Sequence, residues 1–463
     1  MDQQPTREHW GTRMGFVLAA AGSAVGLGNI WRFPYVTGEN GGGIFVLIYL
    51  FCIALVGLPI MMAEITIGRS TQKSPVGAFI ELAGEESNWK LVGFLGVAAG
   101  FIILSYYSVV AGWALNYTFM SLTNFFEGRT PDEIGAVFDT LYQSPGISIF
   151  WHAIFMALAV GVVIGGVKKG IERWNMVLMP ILILMFILLA VGSVFLGGWS
   201  EAVRFVFAPD TANIRPSSVL EALGQAFFTL SLGMGAILTY GSYLNKDSDI
   251  PKSAVMIVGM DTFVALLACM VMFPIIFTYG HDPQAGPGLI FKTLPIIFGE
   301  IGHGGMLLSF VFFTLVVFAA LTSGVSLLEV VTSYFIDEKG WERNKATLIT
   351  GGVIFLFGVP SAIAGSGALF PNWEQMYGKN FFDTFDYLAS NWILPLGGLF
   401  IATYVGWKMD AVLRQEEFST GSDWDKNWFY RGWIFLLRFV APVAVLLIVL
   451  QRVGLLDIDA LVR

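Results

Sequence analysis

Gly22-Ser-Ala-Val-Gly-Leu-Gly-Asn29 interrupts an apolar segment at residues 15–35, and Thr229-Leu-Ser-Leu-Gly-Met-Gly235 interrupts a second at 222–243. In hydrocarbon every backbone N–H and C=O needs a partner, so a glycine-rich break at membrane depth survives only where protein covers it or where it lines a cavity. Paired breaks at matching places in two halves of a chain mark the substrate and ion site of many secondary transporters.

The surrounding sequence is that of a membrane protein. Of 463 residues, 56% are hydrophobic and only 13% charged, with a mean hydropathy of +0.70, which excludes a soluble multidomain protein. About eleven stretches reach the roughly 20 apolar residues needed to cross a bilayer: 13–36, 43–67, 91–123, 148–167, 173–197, 218–243, 253–279, 304–336, 346–366, 384–410 and 432–452. The expected architecture is an all-α polytopic bundle.

Loop charge predicts its orientation. Arg7, Arg13, Arg69, Lys73, Lys90, Lys168, Lys169, Arg173, Lys246, Lys252, Lys339, Arg343, Lys345, Lys408, Arg414, Lys426 and Arg431 fall on the side of the N-terminus. Roughly 17 basic residues there, against about 7 opposite, place the N-terminus in the cytoplasm by the positive-inside rule and, with eleven spans, the C-terminus outside. The start of the chain has the basic and apolar parts of a secretory signal. Its apolar run continues through Asn29 and Arg32, which reads as a retained helix in a cell membrane and in contact with lipid.

Other classes find little support. The net charge of −8 sits mostly in exterior loops such as 126–140, and nothing suggests nucleic acid. Cys52 and Cys269 lie inside spans and read as small apolar residues, while the four histidines lack ligand spacing. Gly22-x-x-x-Gly26 could be a helix-packing face, but packing does not require Asn29 and Arg32 directly after it. A phosphate cradle would need a preceding strand and a following Gly-Lys-Ser/Thr, and neither is present.

At Arg7-Glu-His-Trp10, Gly22 through Pro34, Glu39-Asn-Gly-Gly-Gly43, Gly224 through Gly233 and Leu321-Thr-Ser323 the chain resembles the neurotransmitter:sodium symporter family, in its bacterial eleven-span amino-acid branch. The resemblance implies inverted five-helix repeats at 13–197 (spans 1–5) and 218–410 (spans 6–10), unwound helices 1 and 6, and an additional span at 432–452. It also implies sodium-coupled symport of an amino acid by alternating access, and no enzyme activity. Half-helix ends suit such cargo, because free carbonyls carry partial negative charge and free N–H groups partial positive charge.

Two sodium sites follow from the resemblance and from the preference of a hard cation for oxygen. Sodium 1 is expected at the Ala24 carbonyl, Asn29, Thr229 and Asp261, completed by the substrate carboxylate. Sodium 2 is expected at the carbonyls of Gly22, Val25 and Ala319 with the hydroxyls of Thr322 and Ser323, although a hydroxyl pair bonded back to its own helix is the common alternative. Asp261 is the most telling side chain, since carboxylates inside spans are costly and functional by default. About 4 Å from a cation, at an effective dielectric of 20, it contributes roughly 4 kcal/mol before desolvation. That could replace the chloride that relatives hold with a hydroxyl, where this chain has Ala265. A protonated Asp261 acting as a hydrogen-bond donor is the alternative.

The substrate pocket implied by the family comprises Ala24, Gly26, Leu27, Gly28, Ile103, Tyr107, Phe228, Thr229, Ser231, Met234, Ser323 and Leu327. Amides near Leu27 and Gly28, with the Tyr107 hydroxyl, would meet the substrate carboxylate. Gly26 stands where amine-transporting relatives place an aspartate, so an amino acid is expected, and the apolar lining with flexible Met234 favours hydrophobic ones, including aromatic ones. Arg32 with Asp386 resembles an outer gate; Arg7 with Asp337, beside Trp10 and Tyr243, resembles an inner gate. Glu64 and Gln225 are expected to support the unwound sixth span. Gly170 and Pro180 mark a segment of the fifth span expected to unwind readily. A sodium-dependent sensor and an ion channel on the same scaffold are the other classes, and the oligomeric state is open.

Overall fold

The computed structural model describes residues 7–209, 214–281, 286–422 and 427–456; Lys426 of the basic set lies outside them. Among the described residues there is no strand, only helices and one isolated bridge between Gly42 and Pro209. Among the described residues, nine helical segments are long and apolar enough to cross a membrane: Gly43–Thr71, Lys90–Leu122, Pro145–Ile164, Val167–Ser193, Ile250–Thr278, Gly304–Lys339, Arg343–Ser366, Trp373–Lys408 and Asn427–Arg452. Two of the expected spans are broken, and among the described residues only the first of them is long and apolar enough, taken as a bent pair, to count as a tenth. The first is Arg13–Ala24 followed by Gly28–Glu39, bent by 49°. The sixth is Ser217–Thr229 followed, after residues 230–235, by Ala236–Gly241.

Each break has a local cause. At the first, Val25 leaves the helix with ψ 95° while its N–H still reaches the Ala21 carbonyl at 2.6 Å. At the sixth, Ser231, Gly233 and Gly235 take positive φ values of 54°, 78° and 75°. A Cβ on Gly233 would lie 2.2 Å from the Leu394 carbonyl oxygen, so glycine is required there for space as well as conformation. Ser231 adopts an uncommon conformation for a residue with a side chain, and its hydroxyl is held by the Ser23 carbonyl at 2.8 Å.

The fifth span starts earlier than the sequence suggests, at Val167 instead of 173. Gly165-Gly166 and Lys168-Lys169 read as a loop, yet residues Val167–Glu172 form a wide helical turn continuous with Arg173–Ser193, with Pro180 inside it. Gly170 fits that turn because a Cβ there would meet the Val162 carbonyl oxygen at 2.1 Å. Large side chains such as Phe51, Leu188, Leu307 and Leu356 point outward from the spans and are exposed, the surface expected of a bundle solvated by lipid. The third and eighth spans form the most extensive helix pair and, with the broken spans, enclose the site.

Candidate functional site

The polar residues of the first expected ion site meet beside the two breaks. Asn29 Nδ2 donates to Asp261 Oδ1 at 2.7 Å and to the Asp261 carbonyl at 3.1 Å, while Asn29 Oδ1 accepts the Gly26 N–H at 3.1 Å. Thr229 Oγ1 donates to the two Asp261 carboxylate oxygens at 3.1 and 3.4 Å. All three side chains are buried. The donors reaching Asp261 are neutral, and no side-chain cation bonds to its carboxyl group among the described residues. Asn29 Oδ1 and the second lone pairs of the Asp261 oxygens remain able to accept.

The second set is built differently. Ser323 Oγ donates across to the carbonyls of Gly22 at 3.2 Å and Ser23 at 3.0 Å. Thr322 Oγ1 instead bonds back to Phe318 at 3.2 Å and Ala319 at 3.0 Å within its own helix, the alternative that the sequence left open. The set therefore contains hydroxyls and carbonyls of Gly22 and Ala319 but no charge. Gly22 permits the approach: a Cβ there would lie 2.3 Å from Asn175 Oδ1 and 3.1 Å from Thr322 Cβ.

Between the two sets is a cavity of about 30 Å³ lined by eleven of the twelve expected substrate residues and by Ser23. The twelfth, Thr229, faces Asp261 instead. The Leu27 N–H points to the Tyr107 hydroxyl at 3.4 Å. A Cβ on Gly26 would strike Ser323 Oγ at 2.5 Å and Tyr107 Oη at 3.0 Å, and one on Gly28 would touch the Phe228 ring at 3.0 Å. The volume corresponds to about two water molecules by the minimum needed for each. Admitting an amino acid therefore requires side chains such as Phe228 and Met234 to move.

The two expected gates are in opposite conditions. At the N-terminal end, Arg7 pairs with Asp337, reaches Ser242 Oγ at 2.5 Å and stacks on the Tyr243 ring at 4.7 Å. Trp10 docks beside it through its main-chain N–H to the Tyr243 carbonyl at 3.1 Å and its indole N–H to Tyr240 at 2.9 Å. Glu172 of the fifth span takes the N–H groups of Gly11 and Thr12 at 2.7 and 3.0 Å and the Thr12 hydroxyl at 3.0 Å. At the other end Arg32 lies over the Phe228 ring at 5.0 Å, and Asp386 accepts from Ser390 at 3.3 Å. Arg32 and Asp386 do not pair in this conformation. The salt bridge at the N-terminal end is made and the one expected at the opposite end is not.

A model of the sodium:neurotransmitter symporter family matches residues 7–130 and 140–458. The chain belongs to that family. This symporter-family chain is 41% identical over 461 residues to the uncharacterized sodium-dependent transporter YhdH of Bacillus subtilis (strain 168), covering 98% of the chain and 99% of the relative. An uncharacterized sodium-dependent transporter of Haemophilus influenzae is 34% identical over 457 residues, with 96% and 98% covered. Among solved structures, MhsT in complex with L-phenylalanine matches with a TM-score of 0.87 and 47% identity over 96% of this chain and 99% of that one.

Three contributors to the symporter's site escaped the sequence reading. Tyr49, buried on the second span, points its hydroxyl at Asp261 Oδ2 at 3.5 Å; a lone tyrosine in an apolar run was the only signal. Ser23 and Ser326 share a hydroxyl contact of 2.7 Å beneath the cavity. Glu64 holds the sixth break as expected, accepting the Gly233 N–H at 2.7 Å. Gln225 supports the first break instead, donating to the Gly28 carbonyl at 2.9 Å.

Proposed function

We propose that this chain moves hydrophobic, including aromatic, L-amino acids into the cell together with two sodium ions, by alternating access and without chloride. The observation that carries the reading is Asp261, a buried carboxylate held by Asn29, Thr229 and Tyr49 at the junction of the two broken helices. A sodium ion at Ala24, Asn29, Thr229 and Asp261 would find its charge balanced by the protein itself. Ala265, one turn further on, offers no hydroxyl to an anion. The second ion would sit among Gly22, Val25, Ala319, Thr322 and Ser323. The largely apolar cavity lining and the relative that binds L-phenylalanine support a hydrophobic or aromatic substrate.

In this reading residues 13–197 and 218–410 are inverted repeats and 432–452 is an additional span, with the N-terminus cytoplasmic and the C-terminus outside. Arg7 with Asp337 and Arg32 with Asp386 then close the path alternately; pairs near a surface contribute only about 0 to 1 kcal/mol, which suits contacts broken in every cycle. A zwitterion crossing with two sodium ions carries two net charges, each contributing about 2.3 kcal/mol per 100 mV. Accumulation on the order of 10³-fold per 100 mV follows. The test is uptake of labelled L-phenylalanine into sealed vesicles under an inward sodium gradient, in chloride and in gluconate. Equal, sodium-driven accumulation in both is expected. Sodium-dependent binding without accumulation would instead mean a sensor, and sodium current independent of substrate a channel.

A further inference from the structure

Away from the central site, at the end of the bundle opposite Arg7, a groove of about 380 Å³ opens between the end of the third span, the helix Pro131–Gln143 and the start of the fourth span. Its floor is apolar, with Met120, Phe125 and the exposed Ile147 among its lining. Two opposite charges stand at its rim. The Arg129 guanidinium is stacked on the Phe125 ring at 3.9 Å and tied by Nε to the Phe125 carbonyl at 2.8 Å, which leaves its terminal N–H groups outward. Glu133 Oε2 accepts the Thr130 N–H at 2.8 Å and the Thr130 hydroxyl at 3.1 Å in a capping box, leaving Oε1 outward. Those bonds, the backbone one first, hold the Glu133 carboxyl below its usual range. Neither charge forms an ion pair with the other.

A third polar group lies deeper. Asn116 lines the groove and is 5% exposed; its amide has a single contact, 4.0 Å to the Met120 sulfur. It stands six residues before the end of the Lys90–Leu122 helix, about 9 Å below that end at 1.5 Å per residue. An amide at that depth is costly unless something polar meets it.

We propose that this groove binds a zwitterionic phospholipid of the leaflet facing away from the N-terminus, with a primary ammonium in its headgroup. In this assignment Glu133 meets the ammonium, Arg129 the phosphate, the deeper Asn116 the ester carbonyls, and the apolar floor the first part of an acyl chain. The guanidinium and the carboxylate are both positioned by the main chain before any ligand arrives, which reduces the ordering cost of binding.

The test uses the full chain in detergent, titrated with phosphatidylethanolamine or phosphatidylglycerol of the same acyl chains and read by native mass spectrometry. Phosphatidylethanolamine should bind on the order of tenfold more tightly, the size of one charge-assisted hydrogen bond. Glu133→Gln removes the charge but keeps a residue that can complete the capping box, so it should bring the two lipids to parity with the helix intact. Arg129→Gln should weaken both lipids, and Asn116→Leu should weaken both without changing their ratio. Parity in the unmodified protein, or a preference that survives Glu133→Gln, would overturn the assignment. L-Phenylalanine added as competitor should leave lipid binding unchanged; displacement would mean that the groove is a second amino-acid site.

Discussion

The two expected ion sites are about equally buried but are assembled in different ways. Around Asp261, side chains from four spans meet, three of them donating to one carboxyl group at the centre. Around Thr322 and Ser323, hydroxyls meet main-chain carbonyls, one across helices and one within its own, and no charge is present. The first arrangement depends on side-chain identity. The second depends on how closely two backbones approach. Substitutions that remove a functional group should therefore act most strongly at the first site, and substitutions that add bulk should act most strongly at the second.

The largest effect is expected at Asn29. Asn29→Ala leaves the Gly26 N–H without its acceptor and Asp261 without its shortest donor, each loss costing about 1 to 3 kcal/mol in a buried setting. Sodium-dependent uptake should fall by two orders of magnitude or more, with insertion intact by surface labelling. Retained uptake would remove Asn29 from the ion path. Gly26→Asp should be nearly as severe, because its Cβ alone has 2.5 Å to Ser323 Oγ; substrate binding measured by scintillation proximity should be lost.

Asp261→Asn comes next, and it sharpens the contrast because it changes charge while keeping shape. The apparent sodium affinity should drop roughly tenfold, and replacing chloride by gluconate should leave the unmodified protein unaffected. Strong chloride dependence of the unmodified protein would mean that Asp261 does not supply the balancing charge. At the second site Gly22→Ala should cost more than Thr322→Ala, the reverse of what ligand chemistry alone suggests, because the methyl collides with Asn175 while the Thr322 hydroxyl is already satisfied within its helix. Sodium titrations of the two variants decide it; a Thr322→Ala loss exceeding that of Gly22→Ala would show that the hydroxyl turns to the ion. The smallest effect is expected from Met234→Phe, which should disfavour tryptophan relative to leucine in a competition panel and leave sodium affinity alone.

Much of this was legible from residue order, for identifiable reasons. Glycine at 22, 26, 28, 233 and 235 followed or flanked by polar groups has one physical explanation at membrane depth, and Asp261 inside an apolar run announces itself. The partners of such groups were less accessible. Asn29 and Asp261 are 232 positions apart, and no local spacing encodes that meeting; it came from family resemblance. Tyr49 and the Ser23–Ser326 contact lacked even that cue, since a single hydroxyl in a span usually bonds its own helix. The fifth span starts earlier than its sequence suggests because paired glycines and lysines mimic a loop, when the glycines in fact admit a tight crossing at Val162. The unmade Arg32–Asp386 pair belongs to a conformation, and a sequence specifies the whole cycle of conformations at once.

Glu172 has a consequence for how the chain is assembled. Its carboxylate supplies acceptors to Gly11 and Thr12 at the very start of the first span, from a position 160 residues later in the chain. A negative group at a helix N-terminus also complements the positive end of the helix dipole. During synthesis the residues leading into the first span are made long before Glu172, so this contact forms only once the fifth span is present.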